Sequence, residues 1–328
     1  MNGMRLLALA LAGGSVMFTQ PARAGTLQEN FLSDPASRGW QVFGNTNLFS
    51  WDPTNQDLQV TWDSSKPNSY FYHRLGTILT RNDDFSMAFD LRLADIKPGV
   101  NTNKSGAFEL AICLCNFTEA TGTNFLRGTG TDSPDLVEFD YFPDAGFGAT
   151  IWPTFISTNS SFNYNGPSDY TALALTTNDW FRVVMTYTAL NSTLTTTMTR
   201  NGAAFGPIHS VSLSTNFTDF RVDTFAISSY SDTGDDYDSL LAHGTVDNLA
   251  ITTPPPPVIG MRGGFLSPSI WNVQFTSRSN WLYTLERTTD FQTWTKASSA
   301  SGNGANLVLQ DSAPAPSKAF YRVSAQRP

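Results

Sequence analysis

The chain has 328 residues, 40% of them apolar and 13% aromatic, while only 15% are charged against the roughly 25% of an average globular chain. That aromatic load, with 24 glycines and 18 prolines, excludes a disordered chain, a coiled coil and a collagen-like repeat. A net charge of −8 excludes a nucleic-acid binder, whose surface must attract phosphate.

Residues 1–24 read as a secretory signal peptide. Arg5 supplies the positive start, Leu6 to Phe18 the apolar run, and Ala22-Arg23-Ala24 a small-x-small cleavage site after Ala24. The run is shorter than the ~20 residues of a membrane span, and no later run competes with it. The product is expected to be exported, extracellular or periplasmic, and monomeric, with no membrane span.

From residue 25 the pattern is that of strands, which suits a chain rich in Thr, Ser and Asn and poor in the charged residues that helices expose. Leu58 to Trp62, Phe85 to Leu93 and Phe181 to Tyr187 alternate apolar and polar residues, the period of a half-buried strand. Leu194 to Thr199 follows and runs into Asn201-Gly202, a tight-turn signal because both central positions of such a turn need positive φ. Asp219 to Ile227 and Gly244 to Ile251 complete the set, with no helix of ten residues. About a dozen short strands in ~230 residues predict an all-β, two-sheet antiparallel sandwich over 25–252.

The two cysteines, Cys113 and Cys115, sit two apart in the apolar stretch Phe108 to Cys115 and so share one face of a strand. A bridge between them would close a tiny, strained loop; two buried free thiols are the other reading.

Thr252-Thr253-Pro254-Pro255-Pro256-Pro257 breaks the composition, and 253–257 read as an extended spacer. Charge changes there too: 25–257 hold 11 Lys and Arg against 25 Asp and Glu, whereas 258–328 hold 7 against 3. Opposite net charges, −14 and +4, mark 258–328 as a separate, small C-terminal β-sandwich.

Trp180 to Tyr187, followed by Leu194 to Arg200 and Asn201-Gly202, resembles the paired strands and turn of laminin-G-like, concanavalin A-like jelly rolls. Gly244 to Ile251 is similar to the last strand of that group, which the resemblance places beside the first. In the small domain, Trp281 to Arg287, Asp290 to Trp294 and Phe320 to Ala325 resemble a fibronectin type III or immunoglobulin-like sandwich, although 71 residues is short for that fold.

Asp135 to Asp144 carries the sharpest chemical signal. On a strand, Val137, Phe139 and Tyr141 face the core, while Leu136, Glu138 and Asp140 share the opposite face. The two carboxylates are therefore expected on an open concave surface. Val137-Glu138-Phe139-Asp140 matches the tetrapeptide that supplies carboxylates to the manganese–calcium pair of legume-type lectins. Asp144 is a further candidate ligand, but no matching Asn or His follows through Trp152. The same strand resembles Glu-x-Asp-x-Glu of retaining glycoside hydrolases, which need a second carboxyl ~5–5.5 Å away. Phe142 or Pro143 stands where the second Glu belongs, and neither donates a proton.

Ser231 to Asp238 places Asp232, Asp235, Asp236 and Asp238 around Gly234, either a calcium loop or a solvated acidic loop. Calcium is the one cofactor these residues point to. Tyr70, Tyr72 and Arg74 share a strand face, and Trp152, Phe155, Phe162 and Tyr164 lie in a Ser- and Asn-rich stretch. Aromatic rings stack on sugar faces while neighbouring polar groups satisfy hydroxyls.

These residues predict a secreted, non-catalytic carbohydrate-binding or adhesive protein that holds a polysaccharide or surface glycan at Glu138, Asp140, Trp152, Tyr164, Tyr70, Tyr72 and Arg74. The alternatives are a polysaccharide-degrading hydrolase or lyase using Glu138 and Asp140, and a structural extracellular matrix or surface protein.

Overall fold

The computed structural model describes residues 25–328 except 124, 126–134, 147, 158–162, 216, 218, 233–237, 255–257, 268, 280, 316–317 and 327–328. The proposed signal peptide, Phe162, Asp235 and Asp236 lie outside the described residues. The chain divides into two compact units at Pro254.

The large unit is a sandwich of two antiparallel sheets, a jelly roll. Its front sheet runs, edge to edge, through Asn163–Asn165, Thr154–Ser157, Leu136–Phe142, Leu110–Cys115, Val222–Ser229, Ser69–Leu79 and Gln41–Phe43. Its back sheet runs through Ala203–Phe205, Thr193–Arg200, Phe181–Thr188, Phe85–Pro98, Asp238–Thr253, Asp57–Asp63 and Phe49–Asp52. The first strand, Gly25–Glu29, pairs with the end of Asp238–Thr253, from Gly25 opposite Thr253 to Glu29 opposite Leu249. The described helices are no longer than four residues.

Strand alternation decides what lies between the sheets. Phe85, Met87, Phe89, Leu91 and Leu93 point inward from the back sheet, and Val137, Phe139 and Tyr141 from the front. Phe89 and Phe139 meet edge to face, their ring centres 5.4 Å apart. Towards one end Tyr187, Phe155 and Phe220 pack mutually, and towards another Trp40 stacks on Phe71 at 4.9 Å. Burying this many aromatic rings supplies the main stabilising term, since hydrophobic free energy follows the area removed from water.

Cys113 and Cys115 are free and buried on the outer side of the front sheet, opposite Glu138 and Leu136. Burial pushes the Cys113 thiol up from its ordinary pKa. Because only an accessible thiolate reacts, an aromatic-disulfide reagent is expected to titrate no thiol in the folded protein and two in guanidinium. A fast-reacting thiol in the native state would contradict this placement.

The small unit has two three-stranded sheets: Ile259–Ser267, Ile270–Thr276 and Asn306–Asp311 in one, Thr295–Ser301, Leu282–Thr288 and Phe320–Gln326 in the other. Val273, Phe275, Trp281, Tyr283, Leu285 and Leu309 form its core. Trp271 stacks on Tyr321 at 3.7 Å, and the Tyr321 hydroxyl donates to Asp311, which also pairs with Arg287.

Candidate functional site

The strand Leu136–Phe142 has the predicted alternation. Its neighbour sets the faces: Cys113 lies opposite Glu138, Ala111 opposite Asp140, and Ile112 opposite Phe139. Glu138 and Asp140 therefore leave the sheet on the side away from the sandwich core, beside small residues that give them room.

That side is not open. Glu138 and Asp140 are both 0% exposed, which corrects the expectation of an accessible concave surface. The Tyr230 hydroxyl donates to Glu138 Oε1 at 2.5 Å, and the Tyr230 ring is packed between Tyr70 and Phe125. Tyr70 is buried, with its hydroxyl donating to the Ala120 carbonyl. The one-turn helix Phe117–Ala120, capped by the Asn116 side chain, lies over the next part of the sheet. Its Phe117 ring sits 4.3 Å from Tyr72 and 4.3 Å below the Arg74 guanidinium. The ends of this cover are tied together: Asn116 N–H donates to the Asp135 carbonyl, Asp135 N–H to Glu119, and Arg221 N–H to the Asp135 carboxylate. Apolar side chains from the connection after Cys115 therefore roof the face where a ligand was expected.

Beneath this roof lies a group that the sequence reading found only in part. Carboxylate oxygens of Glu109, Glu138 and Asp140 all lie within 4.8 Å of one another, and all three residues are buried. Glu109 was missed, yet it has the same parity as Ala111 and Cys113 and so belongs to the same face. Three anionic groups this close in a low-dielectric interior repel strongly and call for neutralisation by protons, donors or a cation. The donor set is all oxygen, which suits a hard cation such as calcium and not a thiophilic metal.

The other expected metal ligands do not join this group. Asp144 is exposed, and its Oδ1 accepts the N–H groups of Gly146 and Gly148 in a local turn. Asp232 Oδ2 accepts the Asn101 amide at 2.9 Å. Asp238 opens the last strand of the back sheet, and neither it nor Asp232 is among the carboxylates that meet at Glu109, Glu138 and Asp140.

Of the expected ligand-binding residues, Tyr72 is half-buried under Phe117 and donates its hydroxyl to Gln41. Arg74 is exposed but holds Asp223 with both contacts at 2.9 Å. Trp152 and Tyr164 are brought together at the edge of the front sheet. Trp152 Nε1 donates to the Tyr164 hydroxyl at 2.5 Å, and Tyr164 is 43% exposed. Gly166 is required beside them, because a Cβ there would lie 2.4 Å from Trp152 Nε1. Phe155, by contrast, is core.

Two packed sheets with strands passing from one to the other, and a last strand returning beside the first, define a jelly-roll sandwich. No protein-family model and no curated protein matches the sequence. Among solved structures the chain is similar to alginate lyase Aly36B, at 11% identity and a TM-score of 0.42 over 69% of this chain and 96% of that one. It is also similar to lectin II from Ulex europaeus, at 13% identity and 0.43 over 71% and 99%. A third is an endo-1,3-beta-glucanase from Streptomyces sioyaensis, at 15% identity and 0.38 over 73% and 100%. These are likenesses of fold.

Proposed function

We propose that this chain is an exported, non-catalytic carbohydrate-binding protein, that its sugar contact lies at Trp152 and Tyr164, and that Glu109, Glu138 and Asp140 hold a structural cation. The observation that carries the reading is the hydrogen-bonded Trp152–Tyr164 pair on the sheet edge. An indole and a phenol held side by side offer apolar ring faces to a pyranose, and Asn165 is half-exposed next to them. A cation at the trio would supply charge neutralisation beneath the sheet. The three carboxylates would hold it, and Tyr230 would keep Glu138 turned into the group.

Burial argues against hydrolysis by Glu138 and Asp140. Two carboxyls must flank a glycosidic bond to cleave it, and a sugar cannot reach side chains sealed under Tyr230 and its neighbours. The test is a glycan array and an insoluble-polysaccharide pull-down with the full chain, alongside reducing-sugar release. Binding to at least one glycan is expected to fall at least tenfold in a Trp152→Ala/Tyr164→Ala double variant, with no sugar released. Silence of the wild type in both binding formats, or sugar release abolished by Glu138→Gln, would overturn the reading.

A further inference from the structure

The outer face of the back sheet carries a second aromatic platform, unrelated to the front-sheet edge. Trp180 immediately precedes Phe181–Thr188 and points away from the core, 37% exposed. Its backbone is clamped from both sides: Asn201 N–H donates to the Trp180 carbonyl at 2.8 Å, and Trp180 N–H donates to Asn201 Oδ1 at 3.0 Å. Asn201 and Gly202 make that clamp with φ of 49° and 82°, so the turn that joins two strands also positions the indole. The Asn201 amide donates onward to Asp179, which Arg200 also holds.

Two depressions adjoin at this indole. One, of about 510 Å³, is lined by Trp180 with Asp90, Arg182 and Asn248; the other, of about 450 Å³, by Trp180 with Arg92, Asn178 and Gln59. Both volumes fall in the range of small-ligand sites; the first is walled largely by apolar surface around the indole with a few polar groups, the second mostly by hydrogen-bonding groups. That combination suits a molecule with hydroxyl edges and an apolar ring face.

Charge narrows the class. Arg182 Nη1 already donates to Asp90 at 3.2 Å and to the Asn248 carbonyl at 2.7 Å, and Asn248 Nδ2 donates to Asp90 at 2.8 Å. Arg92 lies 5.9 Å from the centre of the Trp180 ring. These two are the cations lining the depressions among the described residues; Arg182 is held by Asp90 and Asn248, while Arg92 lies beside the indole. Beside them the sheet register sets Asp247 opposite Asp90 and Asp52 opposite Asp57. Burial foremost, and the nearby Asp90, Asp57 and Glu29 to a smaller extent, raise the Asp247 carboxyl from its ordinary value. Four carboxylates against two arginines, one of them already paired, leave this face net negative, which disfavours an anionic chain.

We infer that the outer face of the back sheet is a carbohydrate-binding site that takes a neutral polysaccharide, one sugar stacked on Trp180 and its neighbours seated in the depressions on either side. The site is separate from the Trp152–Tyr164 pair and does not depend on it.

The test uses the full chain in affinity electrophoresis and calorimetry. Laminarin, xyloglucan and galactomannan serve as neutral probes, with alginate and polygalacturonate as anionic ones. At least one neutral probe is expected to bind and both anionic probes to fail at the same concentration. Trp180→Ala should lose tenfold or more in affinity while Trp152→Ala/Tyr164→Ala keeps the Trp180-dependent part, and Trp180→Phe should restore most of it. In the unsubstituted protein, the bound neutral probe should shield Trp180 from N-bromosuccinimide oxidation, read by peptide mass, which keeps the test decisive if Trp180→Ala fails to fold. Binding of neither kind of probe, stronger binding of the anionic ones, Trp180→Ala within twofold of wild type, or unshielded Trp180 under saturating probe would each overturn the inference.

Discussion

Calcium added to chelator-treated protein at a hundred times its dissociation constant is expected to raise the melting temperature of the large unit by roughly 5–10 °C. A ligand that binds only the folded state stabilises it by about 2.7 kcal/mol at that excess. For a unit of this size each kilocalorie corresponds to about 2–4 °C. The expectation rests on Glu109, Glu138 and Asp140, whose oxygens crowd within 4.8 Å in a buried space. Asp140→Asn removes one formal charge and a ligand oxygen's anionic character with little change of shape, so it is expected to abolish most of the rise while leaving a folded protein. Tyr230→Phe is the useful control: it removes the hydroxyl that bonds Glu138 but none of the carboxylates. It should lower the baseline melting temperature and leave a calcium response that is smaller than the wild type's but not abolished, because all three carboxylates remain and only the hold on Glu138 is lost. Differential scanning calorimetry reads both. A flat response of the wild type to millimolar calcium would remove the cation from the account, whatever the fate of the sugar sites.

Phe139→Ala is expected to produce the largest loss of stability from a single change, about 3–5 kcal/mol for a fully buried phenylalanine truncated in a packed core. The fall in melting temperature is on the order of 10 °C. Phe139 stands in the middle of the front sheet and meets Phe89 of the back sheet edge to face, so the cavity opens between the two layers where neither can close it. Far-ultraviolet circular dichroism against temperature measures this directly. A loss below 1 kcal/mol would mean that Phe139 does not face the sandwich core and that the assigned faces of this strand are reversed.

How far the sequence carried is clearest strand by strand. Phe181 to Tyr187 was legible nearly to its ends, because it lies mid-sheet with one wet face and shows a clean period of two. The strand Phe85–Pro98 extends five residues beyond Leu93, where alternation fades. Its last turns are held by pairing with Leu240 to His243, and a partner that far away in the chain leaves no local trace. The closing strand likewise starts at Asp238, six residues before Gly244. Trp152 and Tyr164 were chosen from their loop-like surroundings and do come together. Glu109 and Trp180 escaped notice for one reason: each gains its meaning from residues on other strands.

The alternation of apolar and polar residues, the positive-φ dipeptide Asn201-Gly202 and the lack of helical periodicity determined by themselves that this is an all-β sandwich and which side of the Leu136–Phe142 strand faces its core. A period of two says which way a side chain points and nothing about what lies beyond it. Whether Glu138 and Asp140 met water was settled by Tyr230, which arrives from a distant part of the chain to bond Glu138, and by Phe125 of the connection after Cys115, which packs on it. The tertiary structure alone decided that the acidic face is sealed and that Trp180 stands between two depressions, because burial is set by long-range packing and not by local pattern.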